Sequence, residues 1–348
     1  MISASINLAL IGATGVVGTK IIKLLEKKSY PVKDFIPLGN STVGSNISFN
    51  GMDYEVQSLE SFQPESVDLI IFAAGSAIAA KYARAFVEVG TYVIDLSSHF
   101  RYEEDVPLII PEINGSLLDK LEGPALIANP NCSTAQLLMA LKPIHDELNI
   151  ELMNVATYQA VSGTGKAALE ELHNQTYFSD SSGPPSVYPK QIAFNVIPQC
   201  DIFLDNDFTK EEMKLTWETH KILDPSIFVQ ATCVRVPVLN GHSEAVFCKI
   251  SKNTSRDHLI QLLKNSEGIQ VIDNPEKLEY PTPVEHANDT EEVFVGRIRV
   301  QELAEQNWVS LWVVADNVYG KGAALNAVQI AERPVSYTHL TLPTKQAV

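Results

Sequence analysis

The stretch Ile6-Asn7-Leu8-Ala9-Leu10-Ile11 runs directly into Gly12-Ala13-Thr14-Gly15-Val16-Val17-Gly18, and an amphipathic segment follows to Lys28, short of Pro31. A short apolar run closed by glycine reads as a buried strand, and the periodic segment after it as a helix. The first glycine allows a tight turn, and the next lets the backbone approach a pyrophosphate. The helix start then offers free N–H groups and a positive dipole end to an anion. The spacing is G-x-x-G-x-x-G, a variant of the dinucleotide fingerprint. An ordinary glycine turn is the competing reading, and the strand–turn–helix context favours the nucleotide. Gly12, Thr14, Gly15, Val16, Val17 and Gly18 are the expected cofactor contacts.

Working outward, apolar runs recur at 35–38, 67–74, 92–96 and 125–128, with a helical segment at 77–89 between two of them. Short apolar runs flanked by Gly, Pro and Asn suit buried parallel strands, and intervening helices suit a doubly wound sheet. The first 130 residues are therefore expected to form a Rossmann-type α/β domain. At the end of its second strand, Leu38-Gly39-Asn40-Ser41-Thr42 lacks the acid that would hold a ribose 2′-hydroxyl. A 2′-phosphate is tolerated there, with Ser41 and Thr42 as hydrogen-bonding partners. NADP is thus expected; no arginine accompanies them, so NAD stays open. Gly75 and Ser76 follow the strand over 70–74 at its carboxyl end, the expected rim for cofactor contacts.

After Cys132 the apolar runs at 152–158, 227–238, 243–250 and 293–300 are longer, richer in β-branched residues and more alternating. They suit a mixed or antiparallel sheet in a second, α+β domain. Residues 171–225 read as irregular, 308–315 as another strand and 322–332 as a helix. The segment 333–348 breaks the preceding period at Pro334 and is read as a non-native or disordered tail.

The chain has 348 residues, four cysteines and a formal net charge of −16. That length suits two domains of one subunit. The charge repels phosphate backbones and disfavours nucleic acid. No run approaches the 18 or so apolar residues of a membrane span, and no signal-peptide pattern opens the chain. The scattered cysteines have neither C-x-x-C nor zinc spacing, and His258 and His286 lack partners at ligand spacing. No metal is expected, and a cytoplasmic location is.

The segment Ala128-Asn129-Pro130-Asn131-Cys132-Ser133-Thr134-Ala135-Gln136 ends a strand, turns at Pro130 and opens an apolar helix. A thiol at a helix N-terminus is biased toward thiolate by the dipole and the free N–H groups. Cys200, Cys233 and Cys248 have no such turn and read as small buried hydrophobes. Gly163-Thr164-Gly165-Lys166 imitates part of a phosphate loop, but position 160 is Ala where the upstream glycine is required.

These segments, with Ser162-Gly163-Thr164-Gly165, the decapeptide Arg235–Glu244, and Asp316-Asn317 followed by Gly322–Ala327, together resemble the aspartate-semialdehyde dehydrogenase family, in order and spacing, over about residues 5–332. The resemblance implies an NADP-dependent phosphorylating enzyme of L-aspartate 4-semialdehyde, inorganic phosphate and aspartyl phosphate. Cys132 matches the nucleophile, which passes through a thioacyl intermediate. His242 matches the acid–base residue, taking and returning the thiol or hemithioacetal proton, and Gln159 matches the glutamine that orients the substrate. Arg235 matches the clamp on the substrate α-carboxylate, a task suited to a planar bidentate donor.

Glu211 and Lys214, three apart on one helical face, match a pair holding the substrate ammonium and phosphate; a solvated i,i+3 salt bridge is the competing reading. Arg101 and Asn131 match further phosphate contacts. Asn317 matches a residue near the nicotinamide, and Ser162 and Gly163 join the cofactor contacts.

The resemblance also implies a homodimer, or a tetramer, built on the second domain. Residues 1–131 and 316–332 are expected in the cofactor domain and 132–315 in the catalytic and dimerisation domain. Two alternatives stay open: an enzyme like N-acetyl-glutamyl-phosphate reductase, and a non-catalytic nucleotide-binding paralogue.

Overall fold

The computed structural model describes residues 5–178 and 184–333; the tail expected over 333–348 lies, but for Arg333, outside them. The chain divides into two units, one of residues 5–130 with 324–333 and one of residues 131–323. Residues 316–323, expected with the cofactor domain, fall in the second unit, where the Asp316 carboxylate accepts from the backbone N–H groups of Asp289, Val318 and Tyr319.

In the first unit β1 (Ile6–Ile11), α1 (Val16–Lys27) and β2 (Val32–Gly39) lead to a hairpin of β3 (Asn46–Phe49) and β4 (Met52–Glu55). Then come β5 (Gln57–Ser58), β6 (Leu69–Phe72), α2 (Ser76–Glu88), β7 (Tyr92–Asp95), α3 (Pro111–Asn114) and β8 (Leu126–Ala128). The main sheet has the order β5-β2-β1-β6-β7-β8, and every pairing in it is parallel. All four residues of β6, all four of β7 and every residue of β1 but Asn7 are buried, as parallel strands covered on both faces require. The chain reverses direction across the sheet between β1 and β6. This switch opens a crevice beyond their carboxyl ends, where ligands of such sheets bind.

The second unit begins with α4 (Cys132–Leu148), followed by β9 (Ile150–Gln159), α5 (Lys166–Tyr177), α6 (Lys210–Ile222), β10 (Phe228–Arg235) and β11 (His242–Ile250). It continues with α7 (Arg256–Lys264), β12 (Ile269–Val271), α8 (Pro283–His286), β13 (Val293–Leu303) and β14 (Gln306–Ala315). The sheet order is β10-β9-β11-β14-β13-β12; the two outer pairings are parallel and the three inner ones antiparallel. Burial alternates along β9 and β10, so one face of the sheet carries the core. The helix α4 packs on that core, against β9, β11, β13 and β14. The last helix, α9 (Ala324–Glu332), returns to the first unit.

The mixed sheet is as expected, and the stretch 171–225 is more ordered than expected. Thr209 and Glu212 form a reciprocal capping box that starts α6. The strand expected over 227–238 stops at Arg235, because Pro237 cannot extend a ladder. No helix among the described residues is long and apolar enough to cross a membrane.

Candidate active site

Strand register gathers the polar residues of the second unit. Gln159 and Arg235 are partners at the carboxyl ends of parallel β9 and β10. Antiparallel β11 starts at the same edge, with Ser243 opposite Tyr158, so His242 stands beside Gln159. The start of α4 reaches this edge too. Asn131 caps it: its Oδ1 accepts from the backbone N–H of Ser133 at 2.9 Å and of Thr134 at 3.3 Å. Cys132 is the first helical residue, and its Sγ lies 3.2 Å from His242 Nε2.

His242 is fully buried, and Ala160 N–H donates to its Nδ1 at 3.0 Å. Burial first, and the Arg235 guanidinium second, push its pKa down to about 3, so the ring is neutral at physiological pH. Gly163 leaves this ring room: a Cβ there would fall 3.2 Å from His242 Cε1 and Nε2.

A second layer centres on Glu211. Its Oε1 accepts from Asn131 Nδ2 and from Gln159 Nε2, each at 2.9 Å, and its Oε2 accepts from Lys214 Nζ at 2.9 Å. Lys214 also donates to Asp201 at 2.7 Å. Burial alone would raise the Glu211 pKa, but the Lys214 ammonium and these hydrogen bonds outweigh it and set the pKa at about 2. Burial alone would lower the Lys214 pKa, but the Glu211 and Asp201 carboxylates outweigh it and hold it above its ordinary value. The pair is thus a buried ion pair rather than a solvated one. It holds Asn131 and Gln159, and so the helix start under Cys132.

Arg235 donates from Nη1 to the Ala160 carbonyl at 2.7 Å and lies over the Tyr188 ring. Its buried Nε makes no hydrogen bond, and neither does Gln159 Oε1. Asn317 accepts from Gly241 N–H at 2.9 Å and exchanges hydrogen bonds with Ser162 Oγ. Its amide fixes the turn that delivers His242.

In the first unit, Gly12 has φ +81°, and a Cβ there would come within 2.4 Å of the Ala73 carbonyl oxygen. A Cβ at Gly18 would meet the Gly12 carbonyl oxygen at 2.2 Å. Only glycines let the loop after β1 and the start of α1 fit against the loop after β6. No side chain caps α1 at Gly15 or α2 at Gly75, and Gly75 has open space around it. Thr14 Oγ1 lies 3.1 Å from Thr42 Oγ1, and Ser41 is exposed next to it. Val16, Val17 and Ser76 occupy first turns of these two helices. Backbone donors and small residues at a switch-point crevice fit a dinucleotide pyrophosphate.

Arg101, also in this unit, is buried and donates to the carbonyls of Asn129 and Leu96, each at 2.9 Å. Among the described residues no cluster of His, Cys, Asp or Glu could hold a metal ion.

Two family models match the chain: the NAD binding domain of semialdehyde dehydrogenase over residues 7–121, and its dimerisation domain over residues 141–319. The aspartate-semialdehyde dehydrogenase of Legionella pneumophila is 46% identical over 334 residues, covering 95% of this chain and 96% of its own length. This chain belongs to the aspartate-semialdehyde dehydrogenase family. Family members are oxidoreductases. Aspartate-semialdehyde dehydrogenase 2 of Vibrio cholerae is 44% identical over 95% of this chain and 98% of its own. The crystal structure of the Vibrio cholerae enzyme II complexed with ASA superposes with a TM-score of 0.92 at 44% identity, covering 96% of this chain and 99% of that one.

For a member of this family, several groups at the site escape a reading of side-chain types. Ala160 contributes only its backbone, which leaves no mark on composition. Asp201 completes the Lys214 pair from outside its helix. Glu218 accepts from Asn131 N–H at 2.7 Å across 87 residues of sequence, a separation no local pattern can report.

Proposed function

We propose that the protein interconverts L-aspartate 4-semialdehyde, phosphate and NADP with L-4-aspartyl phosphate and NADPH, through a thioacyl intermediate on Cys132. The observation that carries the reading is the Cys132 thiol at an Asn131-capped helix start, 3.2 Å from a neutral buried histidine. A thiolate there attacks the aldehyde carbon, and the sulfur carries the acyl group until phosphate displaces it. The dinucleotide, when bound, supplies the hydride exchange. Gly12, Thr14, Gly15, Val16, Val17, Gly18, Gly75 and Ser76 would hold it, with Ser41 and Thr42 toward a 2′-phosphate.

Arg235 takes the substrate α-carboxylate with its Nε, the donor that has no partner among the described residues. Gln159 offers its Oε1 to the same substrate. Glu211 and Lys214 serve the substrate ammonium and the phosphate, and Arg101 and Asn131 serve the phosphate. Ser162, Gly163 and Asn317 line the approach to His242. A homodimer through the second unit is supported by the dimerisation-domain match over residues 141–319. Four free cysteines suit the reducing cytoplasm.

The test is NADP reduction with L-aspartate 4-semialdehyde, run beside N-acetyl-glutamate semialdehyde, with and without phosphate, and with NAD. Phosphate-dependent turnover that prefers the aspartate compound is expected. Preference for the acetylated compound, or turnover indifferent to phosphate, would overturn the proposal.

A further inference from the structure

We propose that Tyr188 is a positioning residue for the carboxylate subsite: its ring, anchored from α5 by Glu171, sets the plane in which the Arg235 guanidinium meets the substrate. The inference rests on the reading of Arg235 as the carboxylate clamp and deepens it by naming what holds the clamp.

A guanidinium grips a carboxylate through two parallel hydrogen bonds, so the contact is strong only when the two groups share a plane. Arg235 Nη1 donates to the Ala160 carbonyl at 2.7 Å, while its buried Nε has no partner among the described residues. One hydrogen bond fixes a corner of the group and leaves it able to tilt. The Tyr188 ring supplies the second restraint, its centroid 5.9 Å from Arg235 Cζ. Both side chains are buried, and a cation over a ring gains more there than at an exposed surface.

Tyr188 lies outside helices and strands, so other groups must hold it in place. Glu171 Oε2 accepts from the N–H groups of Ser186 and Val187, each at 2.7 Å, and from the Ser186 hydroxyl at 2.9 Å. Its Oε1 accepts from Tyr188 N–H at 3.4 Å. Burial would raise this carboxyl, but these donors outweigh it and hold it below its ordinary value, so it is ionised at neutral pH. One helical turn on, Gln175 Oε1 accepts from the N–H groups of Ile192 and Ala193 at 2.9 and 3.1 Å. Ile197 then pairs with Arg235 itself, each donating its N–H to the other's carbonyl, at 2.9 and 2.8 Å. Tyr188 is thus tied down on both sides along the chain, and the last tie is to the residue its ring covers.

The far end of the ring is held as well. The Tyr188 hydroxyl donates to Thr164 Oγ1 at 2.9 Å, in the loop whose Gly163 lies against His242. A competing account makes Tyr188 a plain core side chain, since it packs with Val161, Leu172 and Ile192. The two accounts differ in which constant moves. Lost packing lowers stability and disturbs every ligand alike, whereas a lost clamp restraint weakens the carboxylate-bearing substrate alone.

The test compares KM for L-aspartate 4-semialdehyde, phosphate and NADP in wild type, Tyr188→Phe, Tyr188→Leu and Glu171→Gln. Tyr188→Leu should raise the semialdehyde KM about ten-fold, the scale of a buried cation–ring contact. Its kcat should stay within about three-fold, and the other two KM values should not change, as for lost uniform binding. Tyr188→Phe keeps the ring and should restore the semialdehyde KM to near that of wild type. Glu171→Gln should raise the same KM and add nothing in the Tyr188→Leu background, because it acts through the ring. A crystal structure of Tyr188→Leu should show the guanidinium tilted or in two orientations.

An unchanged semialdehyde KM in Tyr188→Leu, or a rise shared by all three ligands, overturns the inference. Should Tyr188→Leu fail to fold, Glu171→Gln carries the same decision. A wild type that ignores aspartate semialdehyde would instead remove the reaction class. The crystal structure then decides alone, and a guanidinium unmoved by loss of the ring overturns the role of Tyr188.

Discussion

Four cysteines share one chemistry, and their surroundings separate them. Burial pushes the Cys200 and Cys248 thiols up to about 12 and Cys233 well above its ordinary value. Cys132 alone of the four is only half-buried, and it stands at a helix start. A thiolate-selective alkylating agent should therefore modify Cys132 first, as peptide mass spectrometry would show. Cys132→Ala should lower turnover by about a thousand-fold or more, the loss expected on removing a covalent nucleophile, and leave dinucleotide binding unchanged by fluorescence titration. Turnover within ten-fold of wild type would remove Cys132 from the reaction.

At this scale the sequence was informative wherever chemistry resides in a side chain with a local setting. Cys132 stood out by its Pro130 turn, whereas Glu211 and Lys214 were singled out only by the family resemblance, their spacing alone suiting a solvated salt bridge. The burial of that pair was not readable, since it arises from Asp201, Asn131 and Gln159 meeting it in space. The Ala160 N–H was equally hidden, because every residue except proline carries one.

Among the elements, β11 carries a group that the proposed chemistry does not use. Glu244 follows His242 by two residues on the same face, fully buried, opposite Thr157 of β9. Neither carboxylate oxygen has a full hydrogen bond; the Gln136 amide of α4 approaches and only partly offsets the burial that holds the carboxyl well above its ordinary 4.5. Below that value the carboxyl is neutral in both folded and unfolded chains, and its contribution to stability is fully present. As pH rises, the unfolded chain ionises first, and stability drains by about 1.4 kcal/mol per pH unit until the folded-state value is passed.

Glu244→Gln removes this proton linkage. Thermal melts of the two proteins from about pH 5 to pH 8 should diverge, the variant gaining on wild type as pH rises. Parallel curves would mean that Glu244 is ionised in the folded protein. Element boundaries were only partly legible. Neither α6 nor the β3–β4 hairpin was expected from the sequence: in the structure Thr209 and Glu212 start α6 with a capping box, and Asn50-Gly51, both with positive φ, turn the hairpin.

For the whole molecule, the decisive feature is that the first unit is discontinuous. Residues 5–130 form the parallel sheet, but the helix α9 that completes the unit is made only after the entire second unit. Leu325, Val328 and Ile330 of α9 are buried in it, and Asn326 donates to Ile109 O at 2.9 Å and to Asn129 Oδ1 at 2.8 Å. Tyr30 closes the other end, donating from its hydroxyl to Ala331 O at 2.9 Å. Those three apolar side chains contribute on the order of 6 kcal/mol by burial, comparable with the whole net stability of a domain, about 5–15 kcal/mol.

A chain ending at residue 323 should therefore lose cooperative unfolding of its first unit. Its dinucleotide affinity should fall by a hundred-fold or more, since the Gly12 loop depends on that unit's packing. Ile330→Ala is the milder probe: a cost of about 2–5 kcal/mol should lower the melting temperature while near-normal binding persists at low temperature. Differential scanning calorimetry with and without dinucleotide separates the cases. If the truncated chain binds and melts like the full one, α9 is an accessory, and the first 130 residues already contain everything the cofactor fold requires.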